Sequence, residues 1–117
     1  MKIILTGEPQ STNNIYRSHC RFGHPCVYMT ANGKALKESY GWQAKSQWKY
    51  KPTILPVEIH IGFYFKTQRK HDIDNYSKIL LDSLTGIVWR DDEQIWRATY
   101  SKWIDKKDPR IEIEINI

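Results

Sequence analysis

Alternation of apolar and polar residues is the clearest pattern in the chain. In VEIHIGFYF (57–65), Val57, Ile59, Ile61, Phe63 and Phe65 fall on one side, with Glu58, His60 and Tyr64 on the other. This is the period-two pattern of a strand with one buried face. RIEIEINI (110–117) repeats it, with Ile111, Ile113, Ile115 and Ile117 on the apolar side. KIILTG (2–7) reads as a short, largely buried strand closed by Gly7 and Pro9. IWRATYSKW (95–103) is a weaker strand, joined to the last one through the DKKDP turn (105–109). Residues 10–26, rich in Ser, Asn, Gly and basic side chains, read as a long loop before a short strand at VYM (27–29).

Two stretches carry helical spacing instead. In residues 30–50, Leu36, Tyr40, Ala44 and Trp48 recur every four positions with lysines between them, and Thr30 or Asn32 is placed to cap the start. Gly41 weakens this helix. The second helix runs from about Asp74 to Thr85 and is ended by Gly86. The order β–(β)–α–β–α–β–β predicts one α+β domain over residues 1–117, a mixed sheet with helices packed on one face. The sequence contains no repeat, linker or low-complexity segment.

On that second helix, at about 100° per residue, Tyr76, Ile79, Leu80, Leu81 and Leu84 share one arc, while Asp74, Lys78 and Asp82 line the other. Asp72 stands just before it, and the chain then sets Asp91, Asp92 and Glu93 side by side a few residues after its end. The plain reading is capping: Asp before an apolar-periodic run is an ordinary N-cap, and Asp74 with Lys78 an ordinary i,i+4 pair. A calcium loop is excluded, because Tyr76 and Ser77 occupy the fifth and sixth positions counted from Asp72. No G-x-x-x-x-G-K phosphate loop occurs. The chemical alternative is a hard-metal phosphodiesterase site, in which Mg²⁺ is held by a few carboxylates and a lysine neutralises developing charge.

Composition narrows the choice. The 117 residues are 40% hydrophobic and include five Trp and seven Tyr, enough for a core without disulfides. No apolar run approaches the roughly 20 residues of a membrane span, and the N-terminus resembles no secretory signal, so the expected location is cytoplasmic. Residues 1–51 carry a charge balance of +6 and residues 52–117 one of −1, within a total of +5. A basic first half and an acidic second half suit a polyanionic partner and a local acidic site.

The stretch HDIDNYSKILLDSLTGIVWRDDEQI resembles the D-x-D-N-x-x-K helix and W-x-D-D turn of the RusA-type Holliday junction resolvases. PQSTNNIYR (9–17) is similar to that family's P-x-S-x-N-x-x-Y-R segment, and MTANGKALKESYGWQAK (29–45) to its first helix. The matches span nearly the whole chain in order. The resemblance implies a RusA-like, dimeric fold and endonucleolytic cutting of four-way DNA junctions by a homodimer, with Mg²⁺ or Mn²⁺. It implies that Asp72, Asp74 and Asp92 are metal-binding catalytic carboxylates, with Asp91 as neighbour, and that Lys78 is the catalytic-site lysine. One departure stands out: KTQRKHD carries a thinner basic run before the first aspartate than the family's arginines.

Candidate DNA contacts are Asn13, Arg17, Arg21, Lys45, Arg69 and Lys70, though the asparagines of residues 13–14 also suit a loop. His19, Cys20, His24 and Cys26 fit the spacing of no common zinc finger or ribbon and read as a basic loop with two free thiols. Tyr40 and Trp48 are core or dimer-interface residues, and Trp89 is expected to pack under the acidic turn. The alternatives are a nuclease for flaps or forks, and a non-catalytic DNA-binding protein whose acids are only caps.

Overall fold

The computed structural model describes residues 1–11, 16–21 and 24–117, with the side chains of 16–21 and 24–29 outside the description. The elements in order are β1 (Lys2–Thr6), β2 (Tyr16–Arg21), β3 (His24–Met29), α1 (Ala31–Gln47), β4 (Val57–Phe65), α2 (Asp74–Leu84), a 3₁₀ turn (Asp92–Gln94), β5 (Ile95–Ile104) and β6 (Arg110–Asn116). The main sheet has the order β1-β6-β4-β5, and β2 and β3 form a separate hairpin. It is the mixed α+β sheet the alternation predicts.

Period-two burial holds this sheet to the helices. Ile3 and Leu5, the five odd-numbered apolar residues of β4, and Ile111, Ile113 and Ile115 of β6 are all buried. They share one core with Tyr40, Ala44 and Trp48 of α1 and Tyr76, Ile79, Leu80 and Leu84 of α2. Each such side chain is worth roughly 1.5–3 kcal/mol relative to exposure, so register is strongly fixed; a one-residue slip would turn the whole row to water. Thr30 caps α1 by accepting from the Gly33 N–H at 3.1 Å.

Two features differ from the sequence expectation, and a third lies outside it. Part of the predicted 10–26 loop is a hairpin, with Tyr16 opposite Met29 and Arg21 opposite His24. Its apolar residues are few and gather at VYM (27–29), so no sustained period-two pattern marks the first strand. β5 and β6 are joined by the turn at 105–109 but are not partners: β5 pairs with β4 in parallel, and β6 pairs antiparallel with both β4 and β1. A parallel pair needs a crossover of a dozen or more residues, and residues 66–94, containing α2, supply it. The third is the outer edge of β1. Gln47 accepts from the Ile4 N–H and donates to the Ile4 carbonyl, both at 2.8 Å, and Gln43 accepts from the Thr6 N–H at 2.8 Å. Helix amides thus occupy backbone groups that a neighbouring strand would take.

Candidate active site

The crossover between β4 and β5 carries the acidic residues. Burial of Ile79, Leu80 and Leu84 turns the opposite arc of α2 outward, leaving Asp74 and Lys78 exposed and Asp82 half-buried. Asp72 is exposed just before the helix. The N-cap position is Ile73, itself helical in backbone, and no side chain caps it. Among the described residues neither the Asp72 nor the Asp74 carboxylate accepts a hydrogen bond; the Asn75 N–H takes the Asp72 backbone carbonyl at 3.0 Å. The capping explanation for these two aspartates therefore fails.

The start of α2 is held from beneath. The His71 ring lies on Phe65 with centroids 3.9 Å apart and planes 5° apart. His71 Nδ1 is 2.9 Å from the Tyr76 hydroxyl, and Lys102 Nζ donates to the His71 carbonyl at 2.9 Å. The Tyr76 hydroxyl titrates above its ordinary range, chiefly through burial, with the charges of Glu8 and Asp72 adding to it. Tyr100 of β5 is raised likewise by burial and then by Asp74, while a hydrogen bond with Ser77 opposes the shift. The charge of Asp72 is thus felt at Tyr76 and that of Asp74 at Tyr100. Glu8, which sequence reasoning passed over, anchors this corner by accepting from the Lys66 N–H at 2.9 Å.

The acidic turn is built on two residues. Trp89 is fully buried, as expected from its place in the sequence, and its indole N–H donates to Thr85 Oγ1 at 3.0 Å. Gly86, at φ +90°, lets its own N–H reach the Trp89 carbonyl at 2.7 Å; this left-handed conformation favours glycine. Gln94 was not singled out from sequence. Its Oε1 accepts from the N–H groups of Arg90 and Asp91, both at 2.9 Å, and its Nε2 donates to the carbonyls of Thr53 (2.7 Å) and Leu55 (3.0 Å). One side chain ties the acidic turn to a segment some forty residues earlier.

Within that turn the two aspartates have separate tasks. Asp91 accepts from the Glu93 N–H at 3.1 Å and caps the 3₁₀ turn. Asp92 is exposed, and its pKa is raised chiefly by a hydrogen bond shared with Asp91, then by its modest burial and the charges of Asp91 and Asp82. Neighbouring carboxylates disfavour one another's charged form, the sign of crowded negative charge. Among the described residues, no three His, Cys, Asp or Glu side chains converge on one point as a ligand set. The eight steps from Asp74 to Asp82 correspond to about 12 Å of helix rise, so the acids form a strip: Asp72 and Asp74 at one end, Asp82 at the other with Asp91 and Asp92 charged near it, and Lys78 between.

The basic residues are more scattered. Arg69 and Lys70 are exposed just before Asp72. Lys45 is exposed in the last turn of α1, its Nζ 5.9 Å from the centroid of the Trp42 ring. Arg17 and Arg21 lie on β2, with their side chains outside the described set, as are those of His19, Cys20, His24 and Cys26. Asn13 and Asn14 fall among the residues that are not described.

An α+β domain that displays a strip of carboxylates along its crossover helix, with a pinned acidic turn at one end, belongs to the class of small acidic-site domains. Comparison makes this specific. The endodeoxyribonuclease RusA family model matches residues 6–116, and the chain belongs to that family. It is 29% identical over 108 residues to the crossover junction endodeoxyribonuclease RusA of Escherichia coli K12, covering 92% of this chain and 87% of that one. The proteins of that name from Enterobacteria phage 82 and Shigella sonnei match to the same extent.

Proposed function

We propose that this protein is a structure-specific endodeoxyribonuclease that resolves four-way (Holliday) DNA junctions by paired phosphodiester hydrolysis. It would act as a cytoplasmic homodimer dependent on Mg²⁺, for which Mn²⁺ substitutes. The observation carrying this reading is the strip itself: Asp72 and Asp74 cap nothing, while Asp92 is held against other carboxylates at the cost of a raised pKa. Membership of the RusA family and the activity named for its relatives support the choice of DNA junctions as substrate. Among the described residues no helix is long and apolar enough to cross a membrane.

The donor chemistry fits the ion. Carboxylate oxygens are the ligands Mg²⁺ prefers, and it is commonly held by only one or two of them together with waters and substrate phosphate, so a preformed triad is not required. Asp72 and Asp74 would hold metal at one end of the strip and Asp92 at the other, with Asp91 kept to its capping role. When bound, such an ion supplies a nucleophilic water near neutral pH and stabilises charge on the departing oxygen. Lys78, on the same helix arc, presents its ammonium to the phosphate undergoing attack. Tyr76 and His71 fix the approach of the chain to Asp72, and Gln94 fixes that to Asp92. A two-fold dimer presents two equivalent strips to two strands of a roughly symmetric junction.

The test is cleavage of an immobile four-way junction, with matched duplex as control, in Mg²⁺ and in EDTA, beside Asp74→Asn. Paired, symmetric, metal-dependent cuts that vanish in the mutant while binding persists are expected. Tight binding without cutting in either metal would overturn the enzyme; cuts confined to flaps or forks would change its substrate.

A further inference from the structure

One end of the main sheet is apolar and open. β1, β4 and β5 begin there and β6 ends there, so Met1, Ile117, Pro56 and Trp96 follow one another across the four strands. At the usual strand spacing this front is about 14 Å wide. Ile117 borders one groove with Met1 and Tyr50 and a second with Pro56 and Trp96, and those last two wall a third groove with Ile54. The patch is therefore continuous.

Met1, Tyr50, Ile54, Trp96 and Ile117 are 54–80% exposed and make up half of the exposed large hydrophobic side chains among the described residues. Together with Pro56 they offer on the order of 700 Å², at about 200 Å² per large side chain. That exceeds the roughly 300–600 Å² of the largest apolar patch on a typical monomer. It is close to the roughly 800 Å² that each partner gives to a standard interface.

The patch is also held in shape. Val57 lies opposite Ile95 and Glu58 opposite Arg97, so Trp96 is the extra residue of a bulge. A bulge re-aims a side chain, and Trp96, at 80%, is the most exposed large hydrophobic among the described residues. The segment leading to Ile54 is pinned on both sides of Thr53, whose N–H donates to the Val88 carbonyl at 2.9 Å and whose carbonyl accepts from the Arg90 N–H at 3.2 Å. Tyr50 meets the buried Trp48 ring edge-on, with centroids 5.6 Å apart. Such a frame contributes nothing to folding by exposing its apolar side chains, but it lowers the ordering cost when a partner covers them.

The rim narrows the partner. Lys51 stands at the Tyr50 end, and Asp91 and Glu93 stand at the end of Ile54 and Trp96. The acidic end repels a polyanion. A two-fold axis through the middle of the patch, near Pro56 and Ile117, sets each basic end against the other copy's acidic end. The surface thus complements itself in charge as well as in apolar character.

We propose that this end of the sheet is where two copies of the chain join, with Trp96 as the main anchor and the partner's Lys51 set against the acidic turn. The inference rests on the dimer of the proposed function and gives it a location. The turn that carries Asp92 is then steadied by Gln94 from its own chain and by a cation from the other.

The test is analytical ultracentrifugation of the whole chain over a concentration series in EDTA. The wild type is expected to dimerise. Trp96→Glu, at a site too exposed to endanger the fold, should raise the dimer Kd at least about a hundred-fold, because each dimer loses two anchors. Trp42→Glu, at a comparably exposed position on α1 outside the patch, should leave it unchanged. Lys51→Glu and Glu93→Lys should each weaken the dimer about ten-fold, and both changes in one chain should restore it, a rescue that a folding defect does not give. A dimer that survives Trp96→Glu, that Trp42→Glu splits instead, or that the charge exchange does not restore overturns this face and leaves the dimer standing. A wild type that is monomeric at every concentration removes the face and the dimer together. Junction cleavage by the wild type decides the nuclease reading separately.

Discussion

Replacing Gln94 by Met removes four hydrogen bonds while nearly conserving shape. Two of the lost bonds are to the N–H groups of Arg90 and Asp91 and two to the carbonyls of Thr53 and Leu55. A typical bond contributes about 0.5–1.5 kcal/mol net. All four partners are backbone groups at a half-exposed site, so water replaces some of what is lost, which favours the lower part of that range. The sum is then about 2–4 kcal/mol, a large share of a stability of roughly 5–15 kcal/mol. With a urea slope of about 2 kcal/mol/M, the middle of the usual range, the midpoint of unfolding should fall by about 1–2 M. Below the transition the variant should be folded but deficient in cleavage, because the turn carrying Asp92 is no longer tied to residues 53–55. Gln94→Glu should be at least as damaging, since it turns an oxygen toward two carbonyls. A Gln94→Met midpoint within about 0.3 M of the wild type, with cleavage intact, would refute this account of the turn.

Further outcomes are expected. Asp92→Asn should abolish cleavage while leaving the melting temperature unchanged or slightly higher, because it relieves crowding with Asp91 and Asp82; differential scanning fluorimetry in EDTA and junction cleavage read the two effects. Asp105 is held below its ordinary 3.8 mainly by Arg110, and Glu112 below its ordinary 4.5 mainly by Lys2 and then Arg110. Lowered folded values contribute stability above the ordinary pKa that is lost as pH falls through them. The melting temperature should therefore drop below about pH 4.5, and Arg110→Gln should flatten that drop. Asp92 works in the opposite sense, since a raised folded value adds stability as acid protonates it. Gly86→Ala forces an L side chain to φ +90° and should cost about 1–2 kcal/mol, measured as a lower urea midpoint.

How much was legible depended on whether an element buries one face. β4 and β6 do, and their alternation placed them correctly; α2 does, and its start at Asp74 was read from the sequence. β5 is an edge strand partly covered only at Ile95, Tyr100 and Ser101, so no period marks it and its parallel pairing with β4 could not be foreseen. The hairpin of β2 and β3 carries its signal in backbone pairing alone. At the site, the two aspartates and the acidic turn stand out as a motif, but their distribution along a strip is a matter of helix length and turn placement. Gln94 was invisible for another reason: its partners at 53 and 55 are known only once the chain is folded.

The glutamines on β1 have a consequence beyond stability. A side-chain amide offers the hydrogen-bonding groups of a peptide without a chain to carry them further, so it completes the strand and ends the ladder there. Gln43 and Gln47 act as a terminator on one border of the sheet. The opposite border, β5, is left as the side from which the sheet can lengthen. The register shift where Trp96 stands out from the β4–β5 ladder interrupts the start of that border. Any union of two sheets strand to strand is thus directional, confined to the remainder of β5, and one helix sets that direction from the far side of the domain.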